Sequence, residues 1–431
     1  MTGWAETIAL NDDKAFLSLN GLWTGKKPPF VTATVVRNTN FTRLGILDLH
    51  NVAVLEVEAR QLAKRELKCG DIIVERSGGG PKQPVGRVVR FDLDEPGYSF
   101  SNFTSVIRVI DQERFDPAFV FRVLQYFYES GATDALQRRT TGLRNLDFTA
   151  YRELVQIPLI SIQEQRQISR VLATVQAAIE YQQAIITTTR ELKRGMMDTL
   201  FTQGLRGEPQ KPTEIGLVPK SWCVKRIGEI ATLRSGGTPS RKNEAFWAGG
   251  TIPWVKTGEV NYCVINDTEE MITEVGLAGS SAKIFPAGTL LMAMYGQGIT
   301  RGKVGILGID AATNQACVAF FPKNKDEVLT AFLFQLFTFK YEYIRNLGHG
   351  ANQKNLSADI VKTIQIAFPA EIGEQDEIVS ALSVLDDKLA IAERKQNYYT
   401  DLFKTLLKQL MTAKTMVHEL DLDALSLSVL E

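Results

Sequence analysis

The chain contains the same kind of segment twice, and this duplication limits how it can fold. Shifting the sequence by 210 positions against itself aligns Glu164-Gln165 with Glu374-Gln375, Asn145-Leu146 with Asn355-Leu356, and Ile168, Leu172 and Leu200 with Ile378, Leu382 and Leu410. Similarity at a fixed period indicates repeated structural units. The length of 431 residues is also more than one ordinary core holds. We therefore predict two halves, each a variable globular unit followed by a better-matched long helix.

Positions at alternating steps of four and three in these two helices are mostly apolar, with Gln182, Thr189 and Lys193 as the polar positions of the first and Gln396 of the second. The predicted seam residues are Ile168, Leu172, Val175, Ile179, Ile186, Met196 and Leu200 in the first helix, and Ile378, Leu382, Leu385, Leu389, Phe403, Leu406 and Leu410 in the second. This spacing is typical of a coiled coil. Two long helices in separate bundles remain an alternative, but two seams of similar length favour mutual pairing. Ser161 and Glu164 have the spacing of a capping box at the start of the first helix.

The globular units carry both strand and helix patterns. Strands are indicated by TATVV, DIIVER, VGRVVRF and VIRVI in the first unit, and by TIPWVK, TLLMAMYG, KVGIL and ACVAFFP in the second. PAFVFRVLQYFYES and LTAFLFQLFTFKYEYIRNL are amphipathic helices whose aromatic residues we place in the core. The fold class is thus α+β, with two mixed α/β domains and two long helices.

The predicted boundaries follow the repeats. They are a first domain at 1–158, a first helix at 159–205, a linker at 206–221, a second domain at 222–369, a second helix at 370–415 and an acidic tail at 416–431. The linker is assigned because GLRGEPQKPTEIGLVPKSW is rich in glycine and proline.

Composition excludes several classes of protein. Lys+Arg and Asp+Glu both number 49, so bulk charge does not predict a nucleic-acid partner, although local charge still can. The four cysteines and three histidines are scattered, which predicts neither a metal site nor a disulfide framework. No signal pattern or membrane-spanning apolar run is present, and we expect a cytoplasmic location.

Motifs for catalysis are missing from the sequence. The GGG at 78–80 lacks the GK[ST] ending of a phosphate-binding loop, and no GxGxxG opens a helix after a strand. The Asn-Pro-Pro-Tyr and Asp-Pro-Pro-Tyr tetrapeptides of base-methylating enzymes are absent, and three histidines offer little general-base capacity. We predict no catalytic, cofactor-binding or metal-ligating residue in this chain.

Polar and basic loops beside the strands are the candidate binding elements. The DNA-binding candidates in these loops are Arg76, Ser77, Lys82, Gln83, Arg87, Arg138, Arg139, Arg144 and Asn145 in the first unit, and Arg234, Ser235, Thr238, Tyr295, Gln297, Thr300, Arg301, Gln353 and Lys354 in the second. Arginine and lysine pair with phosphates and guanine edges, and glutamine and asparagine with adenine edges. A single loop of this kind is more often a solvated turn. Five loops in equivalent parts of two repeats favour nucleic acid.

The order of motifs resembles one known family. The resemblance rests on GLVPKSW, LRSGGTPS, IPWVKTGEV, FPAGTLLMAMYGQGITRGKVGI and ATNQACVAF, followed in each half by RNLDFTAYRELVQIPLISIQEQRQI or KNLSADIVKTIQIAFPAEIGEQDEI. Together they are similar to the specificity (DNA-recognition) subunit of type I restriction–modification systems, and they add Lys256, Asn314 and Gln315 to the DNA-binding candidates. The first unit departs from the pattern, because it lacks the GLVPKSW-type opening and VVRNTNF (35–41) matches WVKTGEV (254–260) only loosely.

This resemblance implies a separate role for the globular units, for the long helices and for the partner subunits. Each globular unit would be a target-recognition domain that reads one half of a split double-stranded DNA target. The long helices would pair as an antiparallel coiled coil that spaces the half-sites and docks two modification (methyltransferase) subunits and, through them, restriction subunits. S-adenosylmethionine-dependent adenine methylation and ATP/Mg-dependent translocation and cleavage would belong to those partners, with no cofactor in this chain. Two dissimilar variable units imply an asymmetric target.

Two other classes of function stay open from the sequence. The chain could be a stand-alone DNA-modifying enzyme, against which the missing motifs argue. It could also be a coiled-coil interaction scaffold with two protein-binding domains.

Overall fold

A computed structural model describes residues 3–42, 44–80, 83–139, 143–295, 299–347 and 356–420. The chain forms two compact units, Met1–Gln183 with Arg394–Glu431, and Ala184–Glu393. Each long helix is shared between them, because α4 spans Ile162–Gln203 and α10 spans Ile372–Met411. The two units are described separately below.

The first unit combines short sheets with short helices. Its strands are β1 (Thr7–Ala9), β2 (Phe16–Asn20), β3 (Phe30–Val36), β4 (Ala53–Glu58), β5 (Ile72–Glu75), β6 (Ser77–Gly79), β7 (Val88–Arg90), β8 (Tyr98–Phe100), β9 (Thr104–Val109), β10 (Gln137–Arg139), β11 (Arg144–Leu146) and β12 (Gln156–Pro158). Its short helices are α1 (Ala59–Arg65), α2 (Pro117–Glu129) and α3 (Phe148–Leu154).

The second unit has a comparable set of elements. Its strands are β13 (Gln210–Thr213), β14 (Gly216–Pro219), β15 (Cys223–Arg226), β16 (Ala231–Ser235), β17 (Ile252–Val255), β18 (Val264–Ile265), β19 (Met271–Ile272), β20 (Ile284–Phe285), β21 (Leu290–Ala293), β22 (Val304–Leu307), β23 (Ala311–Thr313), β24 (Cys317–Pro322) and β25 (Gln365–Phe368). Its short helices are α5 (Ile227–Ile230), α6 (Glu274–Ala278), α7 (Thr330–Phe339), α8 (Tyr341–Asn346) and α9 (Ala358–Thr363).

The sheets repeat one topology. The order β2-β9-β5-β7 in the first unit corresponds to β16-β24-β21-β22 in the second. Strand β3 pairs antiparallel with β4 and parallel with β8, as β17 pairs antiparallel with β19 and parallel with β23. The first and last strands of each domain also pair, β1 with β12 and β15 with β25. The predicted duplication and the mixed α/β class are confirmed, and the first unit shares the topology despite its divergent opening.

The turn before β5 and the turn before β21 are also structural matches. Gly70 and Gly288 both adopt positive φ, at 90° and 82°, in the turn before β5 and β21. Their amides donate to the carbonyls of Phe91 and Leu307 at 2.8 and 2.7 Å. Glycine reaches this backbone region without the steric penalty of a Cβ. The turn therefore retains glycine in both copies.

The predicted seam is buried in both units. Every predicted seam residue is buried except Met196 and Leu389, which are half-buried. In the first unit, the start of α4 and the end of α10 share one core cluster. In the second unit, Arg190 and Lys193 of α4 pair with Glu393 and Asp386 of α10. Residue numbers rise on one helix and fall on the other, so the pairing is antiparallel within each unit.

Two details differ from the expectations. The predicted linker folds as an antiparallel hairpin of β13 and β14, because Gly216 takes φ 107° at its turn and Val218 is buried. The segment predicted as one helix at 329–347 is two, α7 and α8, divided at Lys340 with ψ 11°. No periodicity marked that break.

A buried glutamine attaches each long helix to its domain. Gln165 Nε2 donates to the carbonyls of Arg114 and Ile160 at 2.8 and 2.9 Å, and its Oε1 accepts from the amide of Asp116 at 2.9 Å. These bonds tie the start of α4 to the loop that precedes α2. The side chain is fully buried, so its bonds have no competition from water.

The second unit repeats these three bonds. Gln375 donates to the carbonyls of Glu327 and Pro369, both at 2.9 Å, and accepts from the amide of Leu329 at 3.0 Å. We call Gln165 and Gln375 with their partners the glutamine clamps. The glutamine of each repeated Glu-Gln pair therefore attaches a long helix to its domain through buried hydrogen bonds.

The glutamine clamps give a stability prediction. Replacement of Gln165 by alanine removes three hydrogen bonds and leaves buried backbone groups unpaired, which we expect to lower the free energy of unfolding by about 3 kcal/mol. Gln375→Ala should behave similarly. Urea denaturation measures the change, with exposed Gln163→Ala as the matched control, which should stay within about 0.5 kcal/mol of the parent. Equal effects of Gln165→Ala and Gln163→Ala would contradict this role.

Candidate nucleic-acid interface

The strand pairings of the two units can be aligned with each other residue by residue. Asn20 of β2 lies opposite Ser105 of β9, and Ser235 of β16 lies opposite Val318 of β24. The turn before β9 is thus the counterpart of the turn before β24. Counting from these and the neighbouring ladders pairs Asn20 with Ser235, Trp23 with Thr238, Arg37 with Lys256, Ser77 with Tyr295, Ser101 with Asn314, Asn102 with Gln315, and Phe103 with Ala316.

In the second unit, the structure brings several predicted residues together. The Thr238 hydroxyl donates to the Gln315 side chain. Asn314 Nδ2 donates to Thr257 Oγ1 at 2.8 Å, and its Oδ1 accepts from the Ala316 amide at 3.1 Å. Gln315 remains exposed at the tip of its turn. Asn314 therefore shapes the turn, while Gln315 presents its amide outward.

Other predicted residues of the second unit flank this turn. Arg234 and Ser235 are exposed at the end of β16, and the Arg234 guanidinium lies over the Phe321 ring at 5.2 Å. Tyr295 follows β21 and is 42% exposed. The Lys256 ammonium bonds to the carboxylates of Glu269 and Glu270, which raise its pKa and offset its positive charge.

Arg301 lies inside the domain, at 7% exposure. Its Nη2 donates to the Arg345 carbonyl at 2.9 Å, and the adjacent Thr300 is half-buried. This burial favours a structural role for Arg301 over a DNA contact. Gln297, Gln353 and Lys354, and Lys82 of the first unit, lie outside the described residues.

In the first unit, the counterpart surface is a cleft with two compartments. An apolar compartment of about 460 Å³ is lined by Leu22, Val35 and Leu55, and a polar one of about 570 Å³ by Asn20, Arg76 and Asn145. Trp23, Asn102 and Phe103 border both. Of the residues predicted in this unit, Arg76, Ser77 and Asn145 line the polar compartment.

Arg76 is held within this cleft. Its Nη1 donates to Asn20 Oδ1 at 2.8 Å and to Ser105 Oγ at 3.3 Å, and its guanidinium lies over the Phe148 ring at 4.9 Å. Burial lowers the pKa of Arg76. The Ser77 hydroxyl donates to Asn145 Oδ1 at 2.5 Å. These bonds fix the floor of the polar compartment.

Arg87 is a structural residue in this fold. Its guanidinium binds both carboxylate oxygens of Glu75 at 2.8 Å, and donates to the carbonyls of Phe41 and Asn38 at 3.1 Å. The Glu75 side chain is 1% exposed and that of Arg87 is 14% exposed. The Gln83 amide lies against the same guanidinium. A DNA phosphate would have to displace a buried carboxylate to reach Arg87.

The remaining predicted arginines lie on β10 and β11. Arg138 is exposed and pairs with Asp147. Arg139 ends β10, and Arg144 starts β11 and is half-buried. Of the arginines on these two strands whose side chains the structure describes, Arg138 is exposed to solvent and Arg144 is half-buried.

Sequence reasoning missed Trp23, Arg37, Asn102 and Phe103. The repeat held the signal, because SLNGLWTG occupies the position of LRSGGTPS, and SNFT the position of NQAC. The chemistry differs at these positions, so identity alone could not align them. VVRNTNF and WVKTGEV do correspond, since β3 and β17 each lead into a 3₁₀ turn, Asn38–Asn40 and Thr257–Glu259.

Among the residues that the structure describes, no group of histidine, cysteine, aspartate and glutamate side chains could hold a metal ion. No helix in the described ranges has the length and apolar composition needed to cross a bilayer.

The fold and the paired turns define an internally duplicated α+β protein, in which each repeat supplies one polar surface and part of a helix pair. Residues 219–398 match the family described as "Type I restriction modification DNA specificity domain". A curated relative, the type I restriction enzyme MjaIX specificity subunit of Methanocaldococcus jannaschii, is 34% identical over 46% of this chain and 45% of its own length. The putative MjaX specificity subunit of that organism is 23% identical over 88% of this chain and 84% of its own.

Solved structures have the same fold. The type I restriction–modification S subunit of M. genitalium superposes with a TM-score of 0.62 at 17% identity, over 94% of this chain and 95% of that one. A chain from a study of complex assembly in the type I R-M system gives 0.52 at 17% identity, over 94% and 97%. Residues 219–398 thus match the DNA specificity domain of this family, and the curated relatives are specificity subunits, in agreement with the resemblance and the non-catalytic recognition role predicted from the sequence. The match to the first relative spans under half of that relative's length.

The burial of Arg87 gives a prediction that separates stability from binding. Arg87→Ala leaves the Glu75 carboxylate buried without its partner, which we expect to lower the free energy of unfolding by about 3–5 kcal/mol. Arg138→Ala removes a solvent-exposed ion pair, for which about 1 kcal/mol or less is expected. Thermal or urea denaturation compares the two, and similar losses would contradict the structural role of Arg87.

Proposed function

We propose that this chain reads a bipartite, asymmetric double-stranded DNA target, one half-site for each unit. The observation that supports this most strongly is the pair of equivalent turns with different side chains. Asn102 and Trp23 stand where the second unit has Gln315 and Thr238. Side chains of different hydrogen-bonding and apolar character favour different base edges, so one scaffold used twice would read two different sequences.

Binding would combine local positive charge with these turns. The net charge is zero, so affinity must come from the placement of arginines and lysines rather than from their number. Exposed Arg37 and Arg234 lie beside the two turns. We assign phosphate contacts to such rim residues and base contacts to the turns themselves.

The long helices would dock two modification subunits and, through them, restriction subunits. Support comes from apolar side chains that the helices expose in addition to their buried seam. In the second unit Val384 and Ile391, seven positions apart on α10, are 65% and 54% exposed. In the first unit Tyr181 and Tyr398 are 63% and 64% exposed. Exposed apolar side chains of this size are suited to a protein interface.

Methyl transfer from S-adenosylmethionine and ATP/Mg-dependent cleavage would reside in those partners, in the cytoplasm. A stand-alone enzyme would transfer methyl groups without partners. An interaction scaffold would give no sequence-selective DNA protection once the modification subunits are added. Both alternatives are therefore separated from the proposal by one reconstitution experiment.

The first functional prediction concerns the second unit. Gln315→Ala removes an exposed amide from the turn before β24, so we expect relaxed selectivity of about tenfold at one base pair of one half-site. Mapping methylated adenines in the host genome, with parent and variant chains, reads both half-sites at once. Loss of selectivity at both halves would indicate a folding or docking defect instead of a reading role.

The second functional prediction concerns the helix pair. Four residues inserted near Thr187–Thr189 add about 6 Å of helix, the rise of one to two base pairs. A seven-residue insertion in both α4 and α10 keeps the seam in phase and adds about 10 Å, or three base pairs. We expect unchanged half-sites and a wider gap in the methylation map. A changed half-site with an unchanged gap would refute the spacing role.

A further inference from the structure

The first-unit cleft carries two exposed aromatic side chains at positions where the described part of the second unit has small residues. Trp23 is 65% exposed and Phe103 is 40% exposed, and together they separate the apolar compartment from the polar one. In the second unit, the corresponding residues are Thr238 and the buried Ala316. Two large exposed aromatic side chains beside a polar cavity indicate a surface that covers an apolar group of a ligand.

Most polar groups in the cleft are already engaged. Asn20 Oδ1 accepts from Arg76, Asn145 Oδ1 accepts from Ser77, and Asn38 Nδ2 donates to Ser77 O at 3.1 Å. Within the described residues, the exposed Asn102 carboxamide makes no hydrogen bond. It lies in the turn between β8 and β9, where the Thr104 amide bonds the Ser101 carbonyl at 2.9 Å. Asn102 is thus a free donor and acceptor on a fixed turn.

Two arginines near this cleft that could otherwise read guanine are restrained. Arg76 is bonded inside the polar compartment, and Arg87 is paired with Glu75. Arg37 is exposed and borders the apolar compartment, and the function proposed above assigns it a phosphate contact. Beside Arg37, the exposed side chains that border both compartments are the Asn102 carboxamide and the aromatic rings of Trp23 and Phe103.

We propose that this cleft reads an A·T base pair in the half-site of the first unit, an inference that rests on the DNA-reading function proposed above. Trp23 and Phe103 cover the thymine C5 methyl group, and the Asn102 carboxamide pairs with the adenine N6 and N7 edge. In the major groove, a methyl group beside an adjacent donor and acceptor occurs only in A·T pairs. The apolar and polar compartments match these two features in one base pair.

The test uses the full chain assembled with its modification subunits and a duplex that carries the mapped target. Deoxyuridine replaces thymidine at single positions, which removes only the methyl group. We expect one such position in the first-unit half-site to weaken binding about three- to tenfold. Trp23→Ala should bind thymidine and deoxyuridine duplexes equally. Asn102→Ala should relax the preference for adenine at the same pair about tenfold.

The second unit provides the matched controls. Thr238→Ala and Gln315→Ala should leave the deoxyuridine effect in the first-unit half-site unchanged. Trp23→Phe retains an apolar ring and should retain part of the effect, which guards against a folding explanation. The inference is overturned if the parent binds selectively yet no thymine in that half-site matters. It is also overturned if Asn102→Ala changes a G·C position. Absence of any sequence selectivity in the parent would instead overturn the proposed function.

Discussion

The glutamine clamps are the contacts on which the arrangement of each unit depends. In both copies, one buried carboxamide joins the start of a long helix, the segment just before it and the loop that precedes the domain's aromatic helix. A carboxamide both donates and accepts, so one side chain satisfies three backbone groups that burial would otherwise leave unpaired. Its geometry fixes the direction in which the helix leaves the domain.

A second polar link follows the first along each helix. Arg122 of α2 donates to Gln176 of α4 at 2.7 Å, and Gln335 of α7 donates to Asp386 of α10 at 2.8 Å. The bonded residue types differ between the copies, but in each copy the bond joins the domain's aromatic helix to the long helix. Burial lowers the pKa of Arg122 to about 10. The copies therefore agree at the junction between domain and helix. They differ at the turns before β9 and β24, where the proposed reading function requires different side chains.

The sequence predicted the regular elements well, because their signals are local. The strands named from alternation and the seam named from 4-3 spacing occur where expected. In the second unit it also named Thr238 and Gln315, whose side chains bond each other, and Asn314, which bonds Thr257 and the Ala316 amide in the same turn. It failed where long-range pairing decides a role. Nothing near Arg87 in the sequence shows that the Glu75 carboxylate uses its guanidinium, and nothing near Arg301 shows its burial.

The sequence alone determined that the chain is duplicated, that its helices carry a largely apolar seam and that its fold is α+β. Periodicity and repetition are properties of neighbouring residues, so they can be seen without coordinates. Only the tertiary structure decided which polar side chains are free. Trp23 and Asn102 face solvent while Arg87 and Arg301 do not, because strands distant in sequence bring a carboxylate, a carbonyl or an aromatic ring into contact. Composition gives the number of charged residues. Contacts between residues that are distant in the sequence determine which of these charged side chains are exposed.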